Sequence, residues 1–185
     1  MLESDEELEE ELKYLKAETY VITASKIMEE IKKAPASISV ITAKQIREMG
    51  ARDLTDVLYT VTGYDYVYST FGTRYAEARR NTWFLGSMYL FMINSHPMNE
   101  NYLGGADFDT MALDNIKRIE FIRGPGSALY GANAFSGVIN IITKETEDID
   151  GLELTARGGS YNTQQYNVLF GKDFNGLETV FNFNY

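Results

Sequence analysis

The chain of 185 residues has no cysteine. That excludes disulfides, thiol nucleophiles, zinc–thiolate sites and iron–sulfur clusters. It has one histidine, His96, so neither a His-rich metal site nor an imidazole relay can be assembled. Proline occurs three times and tryptophan once. Positive charge is scarce: 17 Lys and Arg stand against 27 Asp and Glu, a formal charge of −10 and a pI of about 4.6. A nucleic-acid binder presents a net basic face, so no nucleic-acid partner is expected. No apolar run approaches the roughly 20 residues of a membrane-spanning helix. Met1 is followed by acids rather than by a basic and then an apolar stretch, so no secretory signal is expected in the chain as it stands. What is abundant is aromatic: 13 Tyr and 10 Phe.

The acidity is concentrated at the start. Glu3, Asp5, Glu6, Glu7, Glu9, Glu10, Glu11 and Glu18 face only Lys13 and Lys16 within residues 1–18. Leu8, Leu12 and Leu15 recur there at helical spacing. The segment reads either as a short amphipathic helix or as a solvated acidic tail, since like charges repel along such a run.

Residues 18–24, Glu-Thr-Tyr-Val-Ile-Thr-Ala, form a β-prone stretch, and Lys26 to Lys33 a polar link. Ser37–Thr42 reads as a strand. Thr42-Ala43-Lys44-Gln45 has the form of a capping box, which predicts a helix through Ile46 and Met49 that stops at Gly50. Leu54, Val57, Leu58 and Val61 have the spacing of one buried helix face, ended by Gly63. Residues 64–107 read as long Tyr-, Asn- and Gly-rich loops around one buried strand, Met88 to Ile93, with a turn at Asn94-Ser95-His96-Pro97. Ile116–Arg123 alternates as a strand, Gly124-Pro125-Gly126 breaks it, Ser127 caps one helical turn, and Val138–Thr143 is a β-branched strand. The fold class to Lys144 is therefore α+β. In the last 35 residues three segments of about nine residues alternate apolar and polar, separated by Gly158-Gly159-Ser160 and Asp173-Phe174-Asn175-Gly176. They suit either tilted membrane-barrel strands or an ordinary sheet with one wet face.

Enzyme chemistry finds no footing. The turn Gly124 to Gly131 lacks the Gly-Lys and following hydroxyl of a phosphate loop, and its glycine spacing is too long for a dinucleotide fingerprint. No serine lies in a G-x-S-x-G context beside the lone His96. Arg74, Arg79 and Arg80 form a small basic cluster near tyrosines, which suits either an anionic ligand or nearby acids. No catalytic residue, metal ligand or cofactor is expected.

Two blocks carry a family resemblance. Pro35-Ala-Ser-Ile-Ser-Val-Ile-Thr-Ala-Lys-Gln-Ile-Arg-Glu-Met-Gly, with Asp53-Leu54 to Gly63, is the first. Ile116-Lys-Arg-Ile-Glu-Phe-Ile-Arg-Gly-Pro-Gly-Ser-Ala-Leu-Tyr-Gly-Ala-Asn-Ala-Phe-Ser-Gly-Val-Ile-Asn-Ile-Ile-Thr-Lys is the second. Both resemble the plug domain of TonB-dependent outer-membrane receptors, most of all the branch with cobalamin and colicin I receptors. The resemblance implies a plug with a small mixed sheet and short helices, followed by antiparallel strands of an incomplete β-barrel. It divides the chain into an acidic leader (1–17), a TonB-box-like segment and linker (18–34), the plug (35–146) and the first barrel strands (147–185).

In such receptors the plug blocks a 22-stranded barrel. A ferric siderophore, haem or cobalamin binds outside, and a TonB box is then offered to the TonB C-terminal domain. The resemblance places that box at Glu18, Thr19, Tyr20, Val21, Ile22, Thr23 and Ala24. It implies plug–barrel contacts at Arg80, Glu120 and Arg123. It also implies ligand-facing loops with Tyr68, Arg74, Tyr75, Arg79, His96 and Tyr102. The implied partners are TonB, a metal-chelate or cobalamin-type ligand, the chain's own barrel and the outer membrane. Three strands cannot close a barrel in lipid, so the chain by itself is expected not to transport. Thr62 stands where the family has proline, Asn94-Ser95 where it has Asp-Gly, and Arg79-Arg80-Asn81 where it has Arg-Gly. A second reading keeps the chain as a soluble module that binds a ligand through loops 64–107.

Overall fold

The computed structural model describes residues 20–21, 29–30, 37–68, 74–78, 88–100, 104–106, 111–124 and 126–185. Two short strands open it, β1 (Tyr20–Val21) and β2 (Glu29–Glu30), paired antiparallel with Tyr20 opposite Glu30. Glu29–Glu30 therefore continues the β structure into what the sequence presents as a polar link.

β3 (Ser37–Thr42) leads directly into α1 (Ala43–Glu48). The junction is the capping box: Gln45 N donates to Thr42 Oγ1 at 3.3 Å, and Thr42 N donates back to Gln45 Oε1 at 2.9 Å. Gly50 follows at φ +67, a left-handed position that suits glycine. α2 (Leu54–Leu58) starts at the Asp53 cap and is shorter than its apolar spacing predicts, ending before Gly63. Leu54, Val57, Leu58 and Val61 are nevertheless all buried, because the turn after the helix keeps Val61 on the same face.

Residues 64–68 and 74–78 are not the loop the sequence suggests. β4 (Tyr64–Tyr68) and β5 (Arg74–Ala78) pair antiparallel, Tyr68 opposite Arg74. β6 (Tyr89–Ile93) and the two-residue β7 (His96–Pro97) join β8 (Ile116–Arg123) and β9 (Gly137–Thr143) in a five-stranded sheet of order β3-β8-β9-β6-β7. β6 and β9 run parallel and the other pairs antiparallel, so the sheet is mixed. β9 is covered on both faces, which is why its sequence is almost continuously apolar; β8 is largely buried too but carries Lys117, Arg118, Glu120 and Arg123. One face, with Phe91, Ile119, Phe121, Ile139 and Ile141, packs under α1, α2 and Tyr64. The other, with Leu90, Met92, Ile122 and Val138, packs against Ala134 and Tyr130. Tyr130 ends the helical turn α3 (Ser127–Tyr130), in which Ser127 is the first helical residue rather than its cap.

α4 (Thr146–Ile149) joins this domain to a separate sheet, β10 (Gly151–Gly158), β11 (Gln164–Phe174) and β12 (Leu177–Asn184), in that order and antiparallel. The register aligns Leu152, Phe170 and Phe181 on one face, and likewise Leu154, Val168 and Phe183. The other face carries Glu153, Arg157, Asn167, Leu169, Gly171 and Asn182.

Candidate functional site

A row of polar side chains crosses the interior of the five-stranded sheet. Glu120 on β8 is fully buried, and Arg118 Nε donates to its Oε1 at 2.8 Å. Residues two apart on a strand share a face, so this ion pair follows from the strand itself. A carboxylate withdrawn from water needs such a partner. Burial, and secondarily the charge of Glu120, raises the pKa of the Tyr130 phenol. Opposite Glu120 on β9 stands Asn140, also fully buried. Its Oδ1 accepts from Ser95 N at 3.0 Å and its Nδ2 donates to Ser95 Oγ at 3.3 Å. Asn94 adds a second clamp, with Thr143 N donating to its Oδ1 at 3.0 Å. Two asparagines thus pin the β6–β7 turn to β9. His96 follows that turn, exposed, its Nδ1 3.0 Å from Asn94 O.

Arg123, three residues beyond Glu120 on the same strand, points to the opposite face of the sheet. Its Nη2 donates to Ser39 Oγ, while its Nε is buried with no hydrogen-bond partner among the described residues. Beside it, Tyr64 Oη donates to Ile122 O at 2.6 Å and tilts against Phe121, with ring centroids 5.2 Å apart. The start of the β4–β5 hairpin is thereby fastened to the centre of the sheet.

The hairpin itself carries an aromatic ledge. Tyr66 meets Tyr59 and Tyr68 edge to face, at 5.2 and 5.4 Å between centroids. The hydrogen bond to Tyr68 raises the Tyr66 pKa. Tyr59 and Tyr68 are about two-thirds exposed, at 64 and 65 %. Arg74, across from Tyr68, is engaged inward: Nη1 donates to Asp53 Oδ2 at 2.7 Å and to Thr55 Oγ1 at 2.9 Å. Burial pushes the Asp53 carboxyl up. The bonds from Thr55, Arg74 and the Asp56 amide outweigh it, so its pKa lies below the ordinary value.

At the junction of the two sheets, the polar face of the second sheet turns toward the first. Leu169 and Asn167 are buried there. Gly171 gives room to Ile149: a Cβ on Gly171 would lie 2.7 Å from Ile149 Cβ. Arg157 grips Asp114 through two bonds, Nη2–Oδ1 at 2.6 Å and Nη1–Oδ2 at 2.8 Å. Lys144 Nζ reaches Glu153 Oε2 at 2.7 Å. The apolar face points away: Leu154 is 70 % and Phe181 54 % exposed.

The sequence-predicted site residues fall into separate regions. Glu120 and Arg123 lie on the same strand but on opposite faces of the sheet, and Tyr68, Arg74 and Tyr75 share the hairpin, where the Tyr75 side chain is not among those described. His96 sits on the β6–β7 turn. Tyr20 and Val21 form β1. Glu18, Thr19, Ile22, Thr23, Ala24, Arg79, Arg80 and Tyr102 lie outside the described residues. Arg118, Asn140, Asp53 and Asp114 emerge only from the structure. Arg118 alone had a local signal, its position two residues from Glu120. Among the described residues no group of His, Asp and Glu could hold a metal ion.

The family model for the TonB-dependent receptor plug domain matches residues 30–138. A vitamin B12 transporter of Vibrio vulnificus is 33 % identical over 143 residues, 77 % of this chain and 23 % of its own length. A vitamin B12 transporter of Photobacterium profundum is 37 % identical over 140 residues, 76 % of this chain and again 23 % of its own length. The chain therefore spans about a quarter of these relatives. The ferripyoverdine receptor of the outer membrane of Pseudomonas aeruginosa superposes with a TM-score of 0.63 at 17 % identity, over 84 % of this chain and 20 % of the receptor.

Proposed function

Since the chain belongs to the TonB-dependent receptor plug domain family, we propose that it forms the plug and first barrel strands of an outer-membrane importer, gating uptake of a metal chelate or cobalamin-type ligand. The orientation of the second sheet is the observation that carries this reading. Its apolar face is turned out, and its polar face is packed on the plug through Ile149, Asp114 and Lys144. A sheet of a barrel wall has that polarity, because lipid lies outside and the plugged lumen inside. A free-standing soluble module would turn Leu152, Leu154, Phe181 and Phe183 inward instead, so the second reading is not adopted.

Within this reading Arg123 and Arg80 hold the plug to the barrel wall, whereas Glu120, fully buried and paired with Arg118, is an interior strut of the plug rather than the wall contact the resemblance implies. The buried Arg123 Nε, which no described residue accepts from, supports a wall acceptor there. The ledge of Tyr68 with Tyr75, the turn with His96, and the segment with Arg79 and Tyr102 face the ligand, while Arg74, bonded to Asp53 and Thr55, holds the ledge in place rather than facing it. Relatives named as vitamin B12 transporters support cobalamin, and a structural neighbour named as a ferripyoverdine receptor keeps metal chelates in view. Residues 18–24 act as the box that TonB captures by strand addition.

The test is capture on immobilised TonB C-terminal domain. The intact chain is retained, and deletion of residues 18–24 abolishes retention. Equal retention of the two forms removes the box assignment.

A further inference from the structure

Within the box, Tyr20–Val21 is already a strand. β1 is paired on one side with β2, and this two-stranded sheet has no third strand among the described residues. Backbone groups of a strand alternate between its two edges. Pairing with β2 thus uses one edge of Tyr20–Val21 and leaves the other edge able to accept a strand.

A lone segment that joins a sheet must first be ordered, at a cost in backbone entropy. A segment already extended by an intrachain strand has spent part of that beforehand, which is how preorganisation raises affinity. The isolated pair is only marginally stable, so its effect is several-fold rather than orders of magnitude. Charge defines the partner's side. Residues 1–30 hold ten acidic and three basic side chains, and β2 itself is Glu29–Glu30. A sheet edge that docks beside them gains if Lys and Arg flank it.

We infer that Glu29–Glu30 is a stiffening strand, and that together with Tyr20–Val21 it presents a preformed two-stranded edge to a partner sheet rimmed with basic side chains. The inference rests on residues 18–24 being the partner-binding box.

The absence of cysteine gives a clean experiment, because an engineered pair has no competing thiol. Register partners on antiparallel strands lie about 4.5–5.5 Å apart between Cα atoms, within disulfide range. Tyr20→Cys with Glu30→Cys locks the pair when oxidised. Affinity for the TonB C-terminal domain is measured for the intact chain, the oxidised and the reduced double-cysteine chain, Glu29→Pro/Glu30→Pro, Glu29→Gln/Glu30→Gln, and the chain without residues 18–24. The expected result is that the oxidised form binds at least as tightly as the reduced form. The proline variant, which breaks β2, binds several-fold more weakly. The glutamine variant keeps the strand and loses part of the salt dependence.

A locked form that loses binding, or a proline variant that gains it, makes β2 a competitor and overturns the inference. Unchanged affinity in both makes β2 irrelevant and overturns it equally. In each of those cases loss of binding on deletion of residues 18–24 keeps the box reading intact. Binding that survives the deletion removes the box reading and the inference with it.

Discussion

Tyr64 and Gly137 form one unit. The Tyr64 hydroxyl reaches Ile122 O at 2.6 Å over the bare backbone of Gly137, and a Cβ at 137 would collide with that hydroxyl and lie 2.6 Å from Ile122 O. Neither obstacle is the far end of a flexible chain, so Gly137→Ala forces β8 and β9 apart. Tyr64→Phe keeps the ring on Phe121 and removes only the hydrogen bond, a loss of about 1–2 kcal/mol. Thermal unfolding should place Tyr64→Phe a few degrees below the parent and Gly137→Ala well below that. In Gly137→Ala the added Tyr64→Phe change restores only part of the loss, because the Ile122 carbonyl remains in the way.

Asp53 brings a pH dependence. It caps α2, accepts from Arg74, and holds its carboxyl pKa below 3.8. A depressed carboxylate contributes stability that is fully present above the unfolded pKa and is lost as pH falls through the folded one. Asp53→Asn retains a capping side chain and removes the charge. Its stability deficit relative to the parent should therefore be constant from pH 7 to about 5 and shrink below pH 4. A deficit unchanged at pH 3 would mean that the Arg74 pairing contributes nothing.

At the scale of elements, the β6–β7 turn explains a departure from the family pattern. Asn94 and Ser95 both take positive φ, at 47° and 66°, where the family has Asp-Gly. A non-glycine residue there costs roughly 1 kcal/mol. Ser95 offsets it by accepting from the buried Asn140 amide, and Asn94 by its bonds to Thr143. Ser95→Gly should therefore change stability by less than about 1 kcal/mol, since relief of strain and loss of the Asn140 contact oppose each other. Asn94→Gly, which gives up both bonds to Thr143, should lower it by about 1–2 kcal/mol. Equilibrium denaturation of the two variants distinguishes these outcomes.

The same turn marks what the sequence discloses. Local chemistry was legible: the Thr42–Gln45 capping box, the apolar face of Leu54 to Val61, the β-branched β9 and the three alternating segments all stand where their patterns place them. The β4–β5 hairpin was not. Arg74 to Ala78 alternates nothing apolar, and β4 is written in tyrosines that a loop uses equally well. Partners far apart in the chain were invisible too. Nothing near Arg74 points to Asp53, 21 residues earlier, nor anything near Arg157 to Asp114, 43 residues earlier. The position of β1 against β2 rests on two residue pairs, below the length at which periodicity can be read.

The whole molecule reverses the usual relation between a sheet and its surroundings. In a protein stabilised by water, the face with Leu152, Leu154, Val168, Phe170, Phe181 and Phe183 would meet the core. Here the core-ward face is the one with Asn167, Leu169 and Gly171, and Ile149 packs where Gly171 has no side chain. This polarity makes two leucines of one sheet respond oppositely to the same change. Leu154→Glu together with Phe183→Glu, neighbours through Val168 on the outer face, adds charge at positions that are 70 and 52 % exposed. In aqueous buffer that variant should self-associate less by light scattering, with its unfolding midpoint within a degree or two of the parent. Leu169→Glu places a carboxylate on a fully buried site, at a cost of several kcal/mol, and should unfold the junction. With lipid vesicles the order inverts: the parent associates, and the outer-face variant does not, because charge on a lipid-facing position opposes insertion. An outer-face variant as destabilised as Leu169→Glu would mean that the face is covered core, and the barrel-wall reading would fall with it.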